Sequence, residues 1–210
     1  MRMPTNRRFD DARYIAFEGV EGAGKSTIAR RVAEHIEVGG DRVVLVREPG
    51  GTEAGERIRD VLLTMDHEVA PRTEAALFAA SRAQLIEETV APALADGAWV
   101  LSDRTAYSSL AYQAGGRGIP LDEVWTLNDI ALGGQWPDVV VLLRLDPSDG
   151  LSRQSEGDRI GDEAAEFHER VASAFDGLAV SEPERFVVVD ASLPIDEVVA
   201  SVIDGLGLAG

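Results

Sequence analysis

The fold of this chain is decided by the stretch Gly19-Val20-Glu21-Gly22-Ala23-Gly24-Lys25-Ser26, which follows the pattern G-x-x-x-x-G-K-[ST]. A short apolar run precedes it, and apolar residues at helical spacing follow it. The stretch therefore predicts a loop between a buried strand and a helix, where glycines let backbone N–H groups curl around phosphate. A glycine-rich turn that binds nothing is the alternative.

Lys25 is the only lysine in the chain, because the other 19 of the 20 basic residues are arginines. Its place in the loop suits contact with the terminal phosphates of a nucleotide, and the Ser26 hydroxyl suits a magnesium ion. A turn that binds nothing gives no reason for the sole lysine to stand there. The count also excludes functions that need a lysine elsewhere, such as an Asn-Lys-x-Asp base-reading motif or a Schiff-base lysine.

Five short apolar runs bounded by turn residues predict strands, each apolar enough to be buried on both faces. They are Tyr14–Glu18, Arg42–Val46, Trp99–Ser102, Val139–Leu143 and Phe186–Val189. Stretches with helical periodicity separate these runs, so strand and helix alternate along the chain. Such alternation requires crossover connections, and it predicts a single α/β domain with a mostly parallel sheet and helices on both faces.

Charged residues follow two of the predicted strands, at the edge of the sheet where ligands bind in folds of this class. Arg47 follows the second strand, and Asp103-Arg104 follows the third. Because guanidinium groups bind phosphate through two parallel hydrogen bonds, the arginines predict a second phosphate site for an acceptor molecule. Asp103 stands where an acid can hold Mg²⁺ or its water, although an N-cap of the next helix is the alternative role.

A helix predicted over Thr73–Val90 places Phe78 and Arg82 four residues apart on one face. A ring and a guanidinium group at this spacing can hold a nucleobase. Core packing is the alternative role of the ring, although the neighbouring alanines leave little on that face that needs a long cation. The three histidines, His35, His67 and His168, have no metal-ligand spacing and are interpreted as structural.

A polar segment at residues 152–162 predicts a lid over the nucleotide. Asp146-Pro147, just before it, is typical of an N-cap followed by the first residue of a helix. Arg153 and Arg159 flank the segment and can move over the phosphates of a bound nucleotide. Solvated surface charges are the alternative for these two arginines.

Length and composition limit the remaining possibilities. The 210 residues suit one domain, and residues 1–13 are expected to form a flexible N-terminal extension. No apolar run has the length that a bilayer requires and no secretory signal is recognised, so a cytoplasmic location is expected. The net charge of −17 opposes binding to nucleic acid and to anionic membranes. The absence of cysteine excludes disulfide scaffolds, zinc fingers and thiol nucleophiles.

Motifs over nearly the whole chain resemble those of thymidylate kinases. They are Phe17–Thr27, Arg47–Thr52, Thr73–Gln84, Asp103-Arg104, Ser108–Gln113, Gly116–Gly118 and Asp158-Arg159. The resemblance implies a P-loop kinase fold over residues 14–210, with a five-stranded parallel sheet, a lid at 152–162 and a homodimeric assembly. It also implies that Mg-ATP phosphorylates dTMP to dTDP, a step in dTTP synthesis for DNA replication.

The resemblance assigns residues to each ligand. ATP would be bound by Gly19, Glu21, Gly22, Ala23, Gly24, Lys25, Ser26 and Thr27. The dTMP molecule would be bound by Glu21, Arg47, Glu48, Arg59, Phe78, Arg82, Arg104, Ser109, Tyr112 and Gln113. The catalytic set would be Lys25, Asp103, Arg153 and Arg159. Mg²⁺ would be held by Ser26 and by Asp103, directly or through a water molecule.

Within the dTMP set, the resemblance gives finer roles. Arg47 and Arg104 would hold the phosphate, with Arg59 near it, and Glu21 would orient the 3′-hydroxyl of the sugar. The thymine ring would stack on Phe78. Its polar edges would meet Arg82, Ser109 and Gln113, while Tyr112 would pack against C2′ and disfavour a ribose.

The sequence also departs from the family pattern. Thr105 replaces a usual aromatic residue, Tyr107 stands where many bacterial members have an acid, and Gly161 stands where an acid is common. Gly22 occupies a loop position that is basic in some members, which is typical of the bacterial arrangement with its arginines in the lid. Two alternatives stay open, a kinase for another nucleoside monophosphate and a nucleotide sensor without turnover.

Overall fold

The computed structural model describes residues 9, 12–64, 69–153, 160, 161 and 163–209 of the chain. Of the predicted N-terminal extension, Phe9, Ala12 and Arg13 are described, and Phe9 and Ala12 pack at the edge of the hydrophobic core. Most of the predicted lid, including Arg159, lies outside the described residues. The extension and the lid therefore stay predictions.

The five predicted strands form one parallel sheet in the order β2-β3-β1-β4-β5. Their bounds are β1 Tyr14–Glu18, β2 Val43–Arg47, β3 Trp99–Asp103, β4 Val139–Arg144 and β5 Phe186–Asp190. The second strand begins one residue later than expected, and the last four each end one residue later. The expectation that every strand is buried on both faces is wrong for β2 and β5, which lie at the edges of the sheet and keep exposed positions.

The described part of the chain has nine α-helices, two of them continued by π-helical segments; the first eight connect the strands and the ninth follows β5. They are α1 Lys25–Val38, α2 Glu53–Thr64, α3 Pro71–Leu85, α4 Ala91–Ala95, α5 Ala106–Ser109, α6 Leu121–Leu132, α7 Pro147–Ser152, α8 Ala165–Ser181 and α9 Ile195–Gly205. The helix predicted over Thr73–Val90 begins earlier, at Pro71, and changes to a π-helix over Ile86–Val90. A second π-helical segment, Leu110–Gly116, extends α5.

Helices cover both faces of the sheet, as predicted. The buried apolar residues that α1 and α9 contribute to one face include Ile28, Val32, Ile36, Val198, Val199 and Val202. The other face packs against α8 and the second π-helical segment, through Phe167, Val171, Phe175, Leu110 and Ala111. The fold is therefore a three-layer α/β sandwich.

The parallel register brings the functional ends of the strands to one edge of the sheet. Phe17 in β1 is level with Asp103 in β3, and Arg47 in β2 is level with the same aspartate. Asp146 is the N-cap of α7, as expected, and its carboxylate accepts from the Ser148 backbone N–H at 2.9 Å. Among the described residues, no helix combines the length and the apolar composition needed to cross a membrane.

Candidate nucleotide and acceptor site

A cavity of about 300 Å³ opens at the carboxyl ends of the central strands. Its walls include residues from both predicted sets. They are Glu21, Gly22, Lys25, Ser26, Arg47, Glu48, Arg59, Phe78, Asp103, Arg104, Ser109, Tyr112 and Gln113. Six predicted residues that the structure describes do not line the cavity: Gly19, Ala23, Gly24, Thr27, Arg82 and Arg153. The phosphate loop and the predicted acceptor residues thus share one chamber.

The loop conformation favours glycine at two positions. Gly22 and Gly24 have φ values of 71° and 85°, and Gly24 is the left-handed residue that begins α1. A Cβ added to Gly22 would lie 2.0 Å from the carbonyl oxygen of Gly150 in α7. A basic side chain at position 22 would clash with α7 unless that helix moved. Close packing against α7 therefore explains the glycine.

The Lys25 ammonium is buried at the mouth of the loop. Its Nζ donates to the carbonyl oxygens of Gly19 and Val20, at 3.1 and 2.7 Å. Burial, followed by repulsion from Arg104, lowers the pKa of Lys25 to about 8. A buried cation with few fixed partners is well suited to meet the negative charge of a terminal phosphate.

Ser26 and Asp103 lie side by side between the loop and the end of β3. The Ser26 hydroxyl donates to Oδ2 of Asp103. Mg²⁺ prefers oxygen ligands and usually takes one or two protein groups together with substrate phosphates, so this pair fits the ion. Asp103 is not the N-cap of the next helix, because that position belongs to Thr105, whose hydroxyl accepts from the Tyr107 N–H.

Arg104 stands in the left-handed region, with a φ of 72°. Its guanidinium donates to Glu21 at 2.9 Å and to the Ser108 hydroxyl at 3.1 Å, and it lies over the ring of Tyr112. Arg47 is half-exposed and forms a two-bond pair with Glu56, at 2.9 and 2.8 Å. Both predicted acceptor arginines therefore reach the chamber. Arg104 is held in its wall by hydrogen bonds, and Arg47 lies at its rim.

Glu21 is the centre of a charged network in the chamber. The Tyr112 hydroxyl lies 2.8 and 2.7 Å from its two oxygens, and His168 Nδ1 lies 3.6 Å from Oε2. Burial alone would raise the pKa of Glu21, but Arg104, His168 and Lys25 outweigh it and hold that pKa well below the usual range. Glu21 is therefore an anion that can accept a hydrogen bond from a sugar hydroxyl.

Replacing Glu21 with glutamine is expected to flatten the dependence of stability on pH. The low folded-state pKa of Glu21 stabilises the protein above the unfolded-state pKa, and this contribution is lost, at up to about 1.4 kcal/mol per pH unit, as the pH falls from the unfolded-state pKa towards the folded-state pKa. Denaturant unfolding between about pH 3 and pH 7 measures the two curves. The control Glu53→Gln, in an exposed pair with Arg57, should keep the wild-type slope. Parallel curves for wild type and Glu21→Gln would contradict the assignment.

Phe78 and Arg82 occupy different environments, although they share a helix. Phe78 lines the chamber. Arg82 is 1% exposed and pairs with Glu48 at 2.6 Å beneath the wall. Burial raises the pKa of Glu48 to about 7, although Arg82 opposes the shift. Arg82 reaches the chamber through Ser109, whose hydroxyl accepts from Nη1 at 3.2 Å.

A family model described as thymidylate kinase matches residues 17–202. The chain belongs to the thymidylate kinase family. It is 45% identical over 193 residues to a thymidylate kinase of Clavibacter sepedonicus, covering 90% of this chain and 92% of that one. It is 44% identical over 192 residues to a thymidylate kinase of Deinococcus radiodurans, covering 90% and 93%.

A solved structure agrees with this family assignment. The crystal structure of thymidylate kinase from Ehrlichia chaffeensis superposes with a TM-score of 0.78 at 30% identity, covering 93% of this chain and 98% of that one. The predicted P-loop kinase fold is thereby confirmed. Membership of the thymidylate kinase family makes the protein an enzyme, a nucleotide-binding phosphotransferase.

Two of the three departures from the thymidylate kinase pattern, Thr105 and Tyr107, have structural partners outside the chamber. Thr105 donates its hydroxyl to Glu18 at 2.8 Å. Tyr107 packs edge to face on Trp136 and Phe186, and its hydroxyl donates to Glu182 at 2.9 Å. Neither side chain lines the chamber. Thr105 therefore supports the buried Glu18 beside the site, and Tyr107 packs in the core.

Sequence reasoning missed several residues that support the site. Glu18 is fully buried and accepts from the backbone and hydroxyl groups of Thr105 and Ser108, at 2.7, 2.8, 3.2 and 2.6 Å. A charged residue that ends an apolar strand was the signal available for it. His168, interpreted as structural, contacts Glu21 from α8. Nothing near it in sequence indicates this contact.

Proposed function

We propose that this protein transfers the γ-phosphoryl group of Mg-ATP to dTMP, giving dTDP and ADP. The observation that carries the proposal is the single chamber that joins Lys25 of the phosphate loop to Arg47, Arg104 and the ring of Phe78. A simple ATPase needs no second set of guanidinium groups and no aromatic wall. The names of the relatives agree with this substrate.

The reaction is an in-line displacement. A phosphate oxygen of dTMP forms a bond to the γ-phosphorus, while the bond from that phosphorus to the β,γ-bridging oxygen breaks and ADP keeps the electron pair. No general base is required, because the attacking oxygen is already an anion. Lys25 stabilises the charge that develops on the transferred group. Bound Mg²⁺, held by Ser26 and Asp103, would neutralise charge on the phosphates.

Acceptor binding divides between the two ends of the chamber. Arg47 and Arg104 bind the dTMP phosphate. Arg59 and Glu48 support the phosphate end of the chamber, where Arg59 donates to the Pro49 carbonyl at 2.9 Å. Glu21 accepts from the 3′-hydroxyl, and Tyr112 lies against C2′. Thymine stacks on Phe78, with Ser109 and Gln113 at its polar edges, and the buried Arg82 acts on the base through Ser109.

Replacing Arg153 with alanine is expected to lower kcat about 10- to 100-fold and to change KM less, because the arginine stabilises charge that exists only in the transition state. In the structure its Nη1 donates to the Ala191 carbonyl at 3.3 Å, close to the end of β5. Steady-state kinetics with ATP and dTMP measure the effect, with the exposed Arg72→Ala as control. Unchanged turnover in Arg153→Ala would remove the residue from the catalytic set.

Assembly and location complete the proposal. The protein acts as a cytoplasmic homodimer, as the family resemblance implies. Helix α6 supports the assembly because it leaves Leu121 and Ile130 exposed, at 52% and 76%. No nucleic-acid or membrane partner is proposed, in keeping with the net charge of −17.

ADP formation with Mg-ATP and a panel of dTMP, dUMP, UMP, dCMP and AMP tests the proposal. We expect dTMP to have the highest kcat/KM. If a different acceptor is preferred, the assignment of the phosphate-binding residues stands, and the roles given to the residues that contact the nucleobase are wrong. ATP binding without turnover of any acceptor would indicate a sensor.

A further inference from the structure

Gln113 lines the chamber with its side-chain amide held in one orientation. Its Nε2 donates to Oε1 of Glu74 at 3.0 Å, and both residues are 1% exposed. A carboxylate without a proton only accepts hydrogen bonds, so the amide nitrogen must face Glu74. The carbonyl oxygen of Gln113 is then the group that the residue offers to a ligand in the chamber.

Glu74 is itself fixed by Arg117. The guanidinium donates from Nε to Oε1 and from Nη2 to Oε2, both at 3.1 Å. Arg117 is held in turn by Glu163 and by the ring of Phe167, 4.6 Å from the guanidinium carbon. A two-bond ion pair of this kind allows neither side chain to rotate without losing both hydrogen bonds. The orientation of Gln113 is therefore set by residues that do not line the chamber.

We propose that Glu74 and Arg117 are positioning residues that keep Gln113 as a hydrogen-bond acceptor and so select pyrimidines with a hydrogen on N3. This inference rests on the proposed function and identifies what chooses the base. Thymine and uracil carry an N3–H donor, whereas N3 of cytosine is an acceptor. With cytosine, two acceptors would face each other without a hydrogen between them.

Ser109 supports the same selection. Its hydroxyl accepts from Arg82, so its own hydrogen is available to a second acceptor. A donor from Ser109 and an acceptor from Gln113 match the neighbouring carbonyl and N3–H groups of thymine. An unrestrained amide could turn by about 180° and satisfy cytosine equally well. The restraint by Glu74 removes that option.

Calorimetric binding of dTMP, dUMP and dCMP to the wild-type protein and to Glu74→Gln tests the inference. A glutamine at position 74 can donate as well as accept, so the Gln113 amide is free to turn. We expect the ratio of dTMP to dCMP affinity to fall about tenfold or more, with dTMP and dUMP affected alike. The matched control is Glu123→Gln, which breaks an exposed pair with Arg72 and should leave the ratio unchanged.

A purely structural role of Glu74 would weaken all three nucleotides together, so an unchanged ratio would overturn the inference. Arg117→Lys is the second variant, because it keeps the charge but loses the two-bond geometry, and it should lower the ratio in the same direction. It provides the measurement if Glu74→Gln does not fold. Wild-type protein that neither binds nor phosphorylates dTMP would instead overturn the proposed function. The two failures are therefore distinguishable.

Discussion

Replacing Lys25 with methionine is expected to lower kcat about 10³-fold, the largest effect of any single substitution in the chamber. Lys25 is the only lysine of the chain, so no neighbouring ammonium can take its place. Methionine keeps the length and the apolar stem of the side chain. The substitution therefore removes the charge at the terminal phosphates and little else.

The same substitution should not unfold the protein. Burial disfavours the charged form of Lys25, lowering its pKa to about 8, so the ammonium contributes little to stability. Thermal unfolding of the variant, together with single-turnover kinetics, separates loss of chemistry from loss of fold. Arg31→Met is the matched control, since this arginine is on the same helix and pairs with Asp196 at the surface. A Lys25→Met protein with a tenth of wild-type kcat would contradict the assigned role.

Replacing Arg104 with glycine is expected to lower kcat/KM for dTMP about 10²- to 10³-fold while changing the KM for ATP only slightly. The guanidinium serves the acceptor end of the chamber, where it is also the ionic partner of Glu21. Its loss should therefore affect acceptor binding and alignment. Steady-state kinetics with each substrate varied in turn make the measurement.

A comparison with Arg104→Ala isolates the backbone contribution. Both variants lose the guanidinium, but alanine at a φ of 72° keeps the left-handed strain that glycine relieves. We expect equal losses of activity, and a free energy of unfolding about 1 kcal/mol higher for the glycine variant. A large rise in the KM for ATP in both variants would contradict the assignment of Arg104 to the acceptor.

The fold was predictable because its signals are local. The loop pattern, the apolar runs and their alternation with helical periodicity lie in contiguous segments, and the structure has all five strands in the expected places. The errors occur where position in the sheet matters. Leu45 in β2 is 47% exposed because the strand is at an edge of the sheet. The sequence of a single strand does not show whether that strand will lie at an edge or at the centre.

The chemistry of the loop was determined by the sequence alone. The left-handed backbone at Gly22 and Gly24 favours glycine, and the lysine and serine that follow are placed by the start of α1. The set of residues at the carboxyl ends of the strands was likewise predictable, because parallel strands end at one edge of the sheet. Arg47 and Asp103 lie at the same level for this reason.

Only the tertiary structure decided which side chains support one another. Gln113 contacts Glu74, 39 residues away in the chain, and Glu21 in the phosphate loop contacts His168 in α8. Arg82 does not line the chamber, because α3 packs against the loop after β2 and the Arg82 guanidinium pairs there with Glu48. Such pairs depend on the relative positions of whole elements. Local sequence therefore specified the groups that meet the phosphates, and packing specified the orientation of the groups that meet the base.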